Sequence, residues 1–486
     1  MKPLKIILAA SESLPFVKTG GLADVIGSLA STFKSLDQEV VIFLPYYQQI
    51  KEQGFKLKRI KKDLVADFGQ WDSKFSLYHC KKNKLDFYFI KKDEYFKREF
   101  FYGPPGADYP DNALRFGFFS NAVLSSAVAL DFKPDIIHCN DWQTGLIPFY
   151  LKYKLGDSQV FSDTKTLFTI HNLAYQGLFP KEILPKLGVG REFFTPEAIE
   201  FYGKVNFMKS GILYSDFIST VSKGYAREIL TKEFGCGLQG LLCLRKSYLY
   251  GIVNGVDYSN WNPASDKFIK ANYDSQSLQN KAKCKLDLLA EMKLPLNLDT
   301  PLLGFVGRLV EQKGIDVIAG AASYIKKSGC NLVILGTGDK KYVKILRELK
   351  AKYRKNIAVK IDFNDTLAHK IEAGSDIFLM PSRYEPCGLN QMYSLKYGTL
   401  ALVSAVGGLS DTIVDYNQNP ARGCGFKLER IKVSDFRKTL KRALIVYKNR
   451  REWSRIVKQA MGLDFSWEKS AKEYLKVYNL IRGKKK

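Results

Sequence analysis

The sequence predicts an α/β protein built on two open parallel sheets. Three observations carry that reading. The chain has 486 residues, too long for one compact core, so two domains are expected. Short apolar runs alternate with segments of helical periodicity, and this rhythm occurs twice, once before residue 250 and again from residue 302. Glycine, proline and polar residues gather just after the apolar runs. Ligands bind at that edge of such sheets, because free backbone N–H groups and helix amino ends face the crevice there.

The first strand is Leu4 to Ala10. Its apolar stretch is brief and a glycine-bearing loop follows it, so it reads as a strand rather than a leader. The loop Ser11 to Gly21 feeds a helix from about Leu22 to Phe33. Lys18-Thr19-Gly20-Gly21 lies at that helix's amino end, where backbone N–H groups reach a phosphate and Lys18 adds a cation. It matches neither the GxGxxG nor the GxxxxGK[ST] pattern, and by pattern alone a plain glycine turn fits it as well. A second strand, Glu39 to Leu44, ends at Pro45. Residues 54–91 change character: alternating runs such as Lys74 to Tyr78 and Leu85 to Phe89 read as hairpin strands inserted in the first domain. The aromatic loop Phe100 to Pro110 suits either a stacking surface for sugar rings or a packed surface loop.

A helix from Asn112 to about Leu130 precedes the strand Asp135 to His138, which runs into Asn140-Asp141-Trp142. Asp141 stands where a side chain would cap the next helix. The strand Thr166 to Ile170 ends in His171-Asn172. The chain has four histidines, at 79, 138, 171 and 369. His138 and His171 fall at the ends of parallel strands, which suits a site as well as a hydrogen-bonded core. Strand Phe217 to Thr220 and a helix from near Ser222 continue the rhythm.

Gly251 to Asp257, with Asn254 inside it, reads as the crossing into the second domain. After a lysine-rich stretch over 262–300, strand Leu302 to Val306 leads into Gly307-Arg308 and then Lys313-Gly314. Two cations on one short loop can hold a diphosphate and stabilise it as it leaves. Strands Asn331 to Leu335, Ile357 to Ile361, Ile377 to Met380 and Leu400 to Ser404 follow. Between Met380 and a helix over Leu389 to Tyr397 stands PSRYEPCGL, with Glu385, Cys387 and Gly388 on the turn. Pro381 and Pro386 stiffen that turn, and Gly388 admits a ligand close to the backbone. A carboxylate beside such donors suits a polyhydroxylated ligand that also carries an anionic group; a solvated loop acid is the plainer alternative. Trp467 to Ile481 has the spacing of an amphipathic helix that needs a surface to cover.

Composition narrows the function classes. Hydrophobic residues at 46% and charged residues at 26% suit a soluble enzyme. No run is long enough to span a membrane. The eight cysteines form no CxxC pair, which reads as reduced thiols in a cytoplasmic protein. The formal charge of +26 favours anionic ligands, but the lysines are spread, as at 56–62, 81–84 and 484–486, with no arginine-rich arm. A specific nucleic-acid partner is not expected. No DxD pair or histidine cluster calls for a metal, and no cofactor is expected.

Ten motifs in one order carry a resemblance: KTGGLADV (18–25), DYPDNALRF (108–116), HCNDWQTGL (138–146), HNLAYQG (171–177), NGVD (254–257), GRLVEQKG (307–314), PSRYEPCGLNQ (381–391), KYGT (396–399), GGLSDT (407–412) and DFSWEKSA (464–471). With these the chain resembles the bacterial glycogen synthase and plant starch synthase family of retaining glycosyltransferases over nearly its whole length. The resemblance implies a GT-B architecture, two Rossmann-like domains facing a deep interdomain cleft. It places an N-terminal domain at 1–250, a nucleotide-sugar domain at 251–462 and a last helix, within 463–486, crossing back to the first domain. It implies transfer of glucose from ADP-glucose to the non-reducing end of an α-1,4-glucan such as glycogen. By similarity, Arg308 and Lys313 hold the donor diphosphate and Glu385 contacts the glucosyl hydroxyls. The backbone of Cys387, Gly388 and Leu389 donates to sugar and phosphate, Lys18, Gly20 and Gly21 complete the pocket, and Asp141, His171 and Asn254 line the transferred sugar. With Lys18, Asp141 and His171 on one lobe and Arg308, Lys313 and Glu385 on the other, closure on substrate is expected. The chain departs from the family pattern at Asn140, Gln143, Asn390 and Val406, which bears on donor preference and rate rather than on reaction type; at Tyr393 many other retaining relatives carry a second glutamate, which this family often lacks. UDP-glucose as donor, another retaining GT-B glucosyltransferase, or a decayed glucan-binding scaffold are the alternatives; intact Lys18, Arg308, Lys313 and Glu385 argue against decay.

Overall fold

Strand β1 (Lys5–Ala9) carries Ile6, Ile7, Leu8 and Ala9 in succession, and none of the four is exposed. A strand apolar on both faces must be covered on both. In the computed structural model, which describes residues 2–67, 73–104 and 106–483, β1 lies in the middle of a nine-stranded sheet. Residues 68–72 of the expected hairpin region, Pro105 of the aromatic loop and the lysines 484–486 lie outside the described residues. The chain divides into two compact units. One holds the chain as far as Val221, Ala226–Ile252 and the C-terminal helix from Trp467; the other holds Ser222–Tyr225 and Val253–Ser466.

The first unit adds β2 (Glu39–Pro45), β3 (Lys58–Val65), β4 (Lys74–Lys82), β5 (Leu85–Lys91), β6 (Ile136–Asn140) and β7 (Lys165–Ile170). A small antiparallel sheet of β8 (Leu178–Pro180), β9 (Glu200–Phe201) and β10 (Lys204–Asn206) follows, then β11 (Phe217–Thr220) and β12 (Leu249–Gly251) return to the large sheet. The large sheet runs β12-β11-β7-β6-β1-β2-β5-β4-β3, parallel from β12 to β5 and antiparallel beyond. The chain leaves β1 toward β2 and β5, then crosses back to β6. The strand order therefore reverses between β1 and β6, which puts a crevice outside their carboxyl ends.

The hairpin strands expected around Lys74 to Phe89 belong to this large sheet. β5 pairs in parallel with β2, from Val41 opposite Asp86 to Pro45 opposite Ile90, so the β4–β5 hairpin continues the sheet. The reason is burial: Phe87, Phe89 and Ile90 are core residues, and both phenyl rings pack edge-on to Phe16 at 4.8 and 4.9 Å. The outermost strand, β3, exposes Lys58, Arg59, Lys61 and Lys62. Basic side chains on an edge discourage another strand from adding there, which accounts for part of the high charge.

The helix Trp467–Gly483 packs on the helix Gly21–Ser35, with Tyr478 buried against Phe33 at 5.6 Å. Its hydroxyl meets His138 Nδ1 at 2.8 Å, while His138 Nε2 meets Thr169 Oγ1 at 2.5 Å. Both ring nitrogens are thus engaged in the core, and His138 is a structural histidine. Tyr478→Phe should lower the unfolding free energy by about 1–2 kcal/mol, because it leaves a buried ring nitrogen without its partner; a urea titration reads this.

The second unit has β13 (Leu302–Val306), β14 (Asn331–Gly336), β15 (Ile357–Ile361), β16 (Ile377–Met380), β17 (Leu400–Ser404) and β18 (Gly425–Leu428). All are parallel, in the order β15-β14-β13-β16-β17-β18. Here the order reverses between β13 and β16. The loops after those two strands carry Arg308, Lys313 and Glu385.

Candidate active site

In the second unit, the loops after β13 and β16 touch backbone to backbone. Gly314 has φ +67°, and a Cβ built there would lie 2.1 Å from the Pro381 carbonyl oxygen, so only glycine fits. Gln312 ties the loops further: its Nε2 donates to Tyr384 O at 3.0 Å, and its carbonyl accepts from Arg383 N–H at 2.7 Å. Arg383 forks onto Asp316 at 2.9 and 2.7 Å. This clasp sets Lys313 Nζ 2.5 Å from Glu385 Oε2, and the Ser382 hydroxyl donates to the same oxygen at 3.1 Å. Glu385 is 6% exposed. A carboxylate so enclosed is held by its two donors in one orientation. Arg308 projects into solvent and donates to Gln312 Oε1 at 3.3 Å.

Beyond Glu385 the turn is equally close-packed. Burial pushes the Cys387 thiol up to about 12, so it stays protonated, and it accepts a hydrogen bond from the Asn254 backbone N–H. A Cβ on Gly408 would meet Cys387 O at 2.1 Å. Gly388 has φ +72° and Leu389 leads into the helix Asn390–Lys396, where Asn390 Nδ2 donates to Val306 O at 2.9 Å and pins the helix start to the end of β13. Asn254 is 6% exposed, and its Oδ1 is buried with no hydrogen-bond partner among the described residues. The structure thus brings Lys313 to Glu385 and Asn254 to Cys387.

In the first unit, the loop after β1 is held by a residue that the sequence reading missed. Glu12 is buried and accepts from Thr19 N–H and Thr19 Oγ1–H, both at 2.5 Å, from Gly20 N–H at 3.3 Å and from the Tyr102 hydroxyl at 2.5 Å. It anchors the loop from within, while Lys18, Gly20 and Gly21 stay exposed at its tip. Lys18 pairs with Asp24 at 2.8 Å. The aromatic loop from Phe100 is packed rather than a free stacking surface. Tyr102 is spent on Glu12 and Ser11, and the loop closes over Arg115, which is inaccessible to solvent and donates to Tyr95 O and Phe101 O.

Asp141 follows β6 with φ +57° and ψ −179°, a combination almost confined to glycine. Its side chain makes no cap to the short helical turn Trp142–Thr144. It reaches across to the end of β7 and accepts from the backbone N–H of His171, at 2.8 Å, and of Asn172. The strained backbone is what turns the carboxylate sideways, so capping gives way to a bridge between two strand ends. His171 Nε2 lies 2.9 Å from Asn140 Oδ1.

Burial shifts three groups of the first unit and one of the second. It pushes Asp141 up to about 7, against the two N–H donors, and Glu372, beside the Ser394 hydroxyl, up to about 8. It pushes His138 and His171 down to about 3, so both are neutral. Unfolding releases protons from the two carboxyls and loads protons onto the two imidazoles. From about pH 4 to 6.5 these flows oppose each other. Above 6.5 only the carboxyls act, and stability falls as the pH rises through 7 and 8. Below 4 only the imidazoles act, and stability falls toward 3. Glu372→Gln should flatten the alkaline side by roughly 1.4 kcal/mol per pH unit, read from urea midpoints across pH.

Phe363, just past β15, is 82% exposed. It stands at the same carboxyl edge of the sheet as Gly307 and Pro381, and a phenyl ring there is an unused flat surface. Its signal in the sequence was a large aromatic two residues after an apolar strand. Among the described residues, no three or more His, Cys, Asp or Glu side chains cluster as metal ligands, and no helix is long and apolar enough to cross a membrane.

Residues 5–243 match the starch synthase catalytic domain family, and residues 290–460 match the glycosyl transferases group 1 family. The chain is 45% identical to a glycogen synthase of Geotalea daltonii over 482 residues, covering 99% of this chain and 100% of that one. It is 42% identical to glycogen synthase 2 of Geobacter sulfurreducens, covering 98% and 99%. Among solved structures, the catalytic domain of starch synthase IV from Arabidopsis thaliana, bound to ADP and acarbose, superposes with a TM-score of 0.91 at 30% identity, covering 99% of this chain and 100% of that one. Sucrose-phosphate synthase from Thermosynechococcus elongatus, at 16% identity and a TM-score of 0.61, shares the fold. Two parallel-sheet units matched end to end by a starch synthase make this a GT-B protein, and the chain belongs to the glycogen and starch synthase family of glycosyltransferases.

Proposed function

We propose that the protein elongates glycogen, moving glucose from ADP-glucose to the non-reducing 4-OH of an α-1,4-glucan with retention at the anomeric carbon. The observation that carries this reading is the Lys313–Glu385 pair at the switch point of the second sheet, with Arg308 on the same loop. Arg308 and Lys313 hold the diphosphate, and their fixed charge favours the leaving oxygen more as the bond breaks than before. Glu385 accepts from glucosyl hydroxyls, and the Cys387, Gly388 and Leu389 backbone N–H groups serve sugar and phosphate. From the first unit, Lys18, Gly20 and Gly21 add a cation and open backbone, while Asp141 and His171 line the sugar. Asn254, whose buried Oδ1 lacks a partner among the described residues, suits a sugar hydroxyl. Retaining glycosidases place a second carboxylate to attack the sugar; here transfer runs on one face through an ion-pair-like state, and a trapped glucosyl adduct on a carboxylate would overturn that step. ADP is the preferred nucleotide, in keeping with the ADP bound by the plant relative. The eight unpaired cysteines fit a cytoplasmic enzyme.

The test is glucose incorporation into glycogen by the purified protein, with ADP-glucose and UDP-glucose in parallel. Preference for ADP-glucose supports the proposal, UDP-glucose preference keeps the chemistry and overturns the donor, and no transfer from either overturns the reading. Phe363 is the candidate platform for the nucleobase. Phe363→Ala should raise the donor KM about tenfold or more with little change in kcat, because base–aromatic stacking is worth about 1–3 kcal/mol.

A further inference from the structure

Asn140 is inaccessible to solvent and lies at the end of β6, one residue before Asp141. Its Nδ2 donates to two backbone carbonyls, Ala9 O and His138 O, both at 3.2 Å. Turning the amide over would set its oxygen against those two oxygens, so Oδ1 must be the atom that faces His171 Nε2 at 2.9 Å. An amide oxygen only accepts. The proton of that hydrogen bond therefore sits on His171 Nε2. A neutral imidazole has one N–H, which leaves Nδ1 a bare lone pair. Among the described residues, no hydrogen bond engages Nδ1, and the residue is not fully shut off from solvent.

We propose that Asn140 is a positioning residue that holds His171 as the Nε2–H tautomer, so that Nδ1 accepts a hydrogen bond from a hydroxyl of the transferred sugar. This rests on the glucosyl-transfer reading above. Its chemical consequence is a site that accepts rather than donates. His171 Nδ1 only accepts, and the Asp141 carboxyl accepts as well once it is ionised, so this corner selects a ligand that brings hydroxyl protons. The other tautomer would turn an N–H toward the sugar hydroxyl, which could then meet it only by accepting.

The experiment uses the full-length protein with 15N-labelled histidine. With only four histidines in the chain, His171→Gln assigns the His171 resonances by their loss. Near neutral pH the ring should show a protonated Nε2 and an unprotonated Nδ1. Asn140→Ala should release the second tautomer and lower kcat about tenfold, the effect of one hydrogen bond lost or reversed. Singly deoxygenated donors then identify the partner: removing one hydroxyl should slow the wild type about tenfold and add nothing in Asn140→Ala. A proton on Nδ1 in the wild type, an unchanged tautomer in Asn140→Ala, or additive losses for every hydroxyl would each overturn the proposal. The wild-type spectrum needs no variant to fold. A protein with the Nε2–H tautomer but no transfer from either donor would overturn the reaction reading and leave the Asn140 assignment standing.

Discussion

Glu385→Ala should lower kcat for glucose transfer about 10²–10³-fold, the range seen when one preorganised electrostatic group is removed from a transition-state site. Two things happen at once when the carboxylate goes. The sugar loses a fixed acceptor, and Lys313 loses the partner 2.5 Å away that aims it. Lys313→Ala should therefore cost a similar factor, and the double variant should be scarcely slower than either single one, because the two side chains act as a unit. Stability should separate them. Lys313→Ala leaves a carboxylate that is 6% exposed with the Ser382 hydroxyl as its side-chain donor, and should lower the unfolding free energy by about 1–3 kcal/mol. Glu385→Ala leaves the longer lysine side chain, which can swing toward water, and should cost less. Steady-state rates and urea midpoints for the three variants check this. Glu385→Ala retaining more than about a tenth of wild-type kcat would remove Glu385 from the machinery.

Gly314→Ala should be the most damaging glycine substitution near the site, lowering stability by about 3 kcal/mol or more and activity with it. Two penalties add there. The backbone sits at φ +67°, where an L side chain is strained, and the new Cβ would lie 2.1 Å from the Pro381 carbonyl oxygen. Relief means moving the loop after β16 away from the loop after β13, which separates Lys313 from Glu385. Gly329→Ala is the matched control. Gly329 has φ +71° but open space around its Cβ, so it should cost only about 1–2 kcal/mol and leave kcat alone. Equal losses in the two variants would show that conformation, not the close approach of the loops, sets the requirement for glycine.

Much of the site was legible because its grammar is local. A strand is an apolar run of a few residues, and the reversal of strand order puts loops at carboxyl ends. That is why Arg308, Lys313 and Glu385 could be placed from their neighbours alone. The parallel strands of the second sheet stand where the apolar runs put them, β13 and β15 over the same residues and β16 at Ile377–Met380. What could not be read were partners. Asp141 looked like a cap because capping is what an aspartate does locally; only the strained backbone and the nearness of β7 show it bridging to His171, 30 positions on. Glu12 has no motif around it, and its clasp of Thr19 and Tyr102 needs a loop 90 residues away.

The two strand-end histidines make the division plain. By itself the sequence determined that this protein is a two-sheet parallel α/β chain of a known transferase pattern, with cations and a glutamate at the ligand-binding edge. Periodicity, glycine and proline express themselves within a few residues, and motifs hold their order. Tertiary structure alone decided that both ring nitrogens of His138 are engaged in the core and that only one of His171's is engaged among the described residues. His138 is claimed by Tyr478, 340 residues later, whereas His171 keeps one ring nitrogen for Asn140 and has no partner for the other among the described residues. Which hydrogen-bonding atoms are satisfied depends on what folding brings against them, and spacing along the chain does not encode that contact.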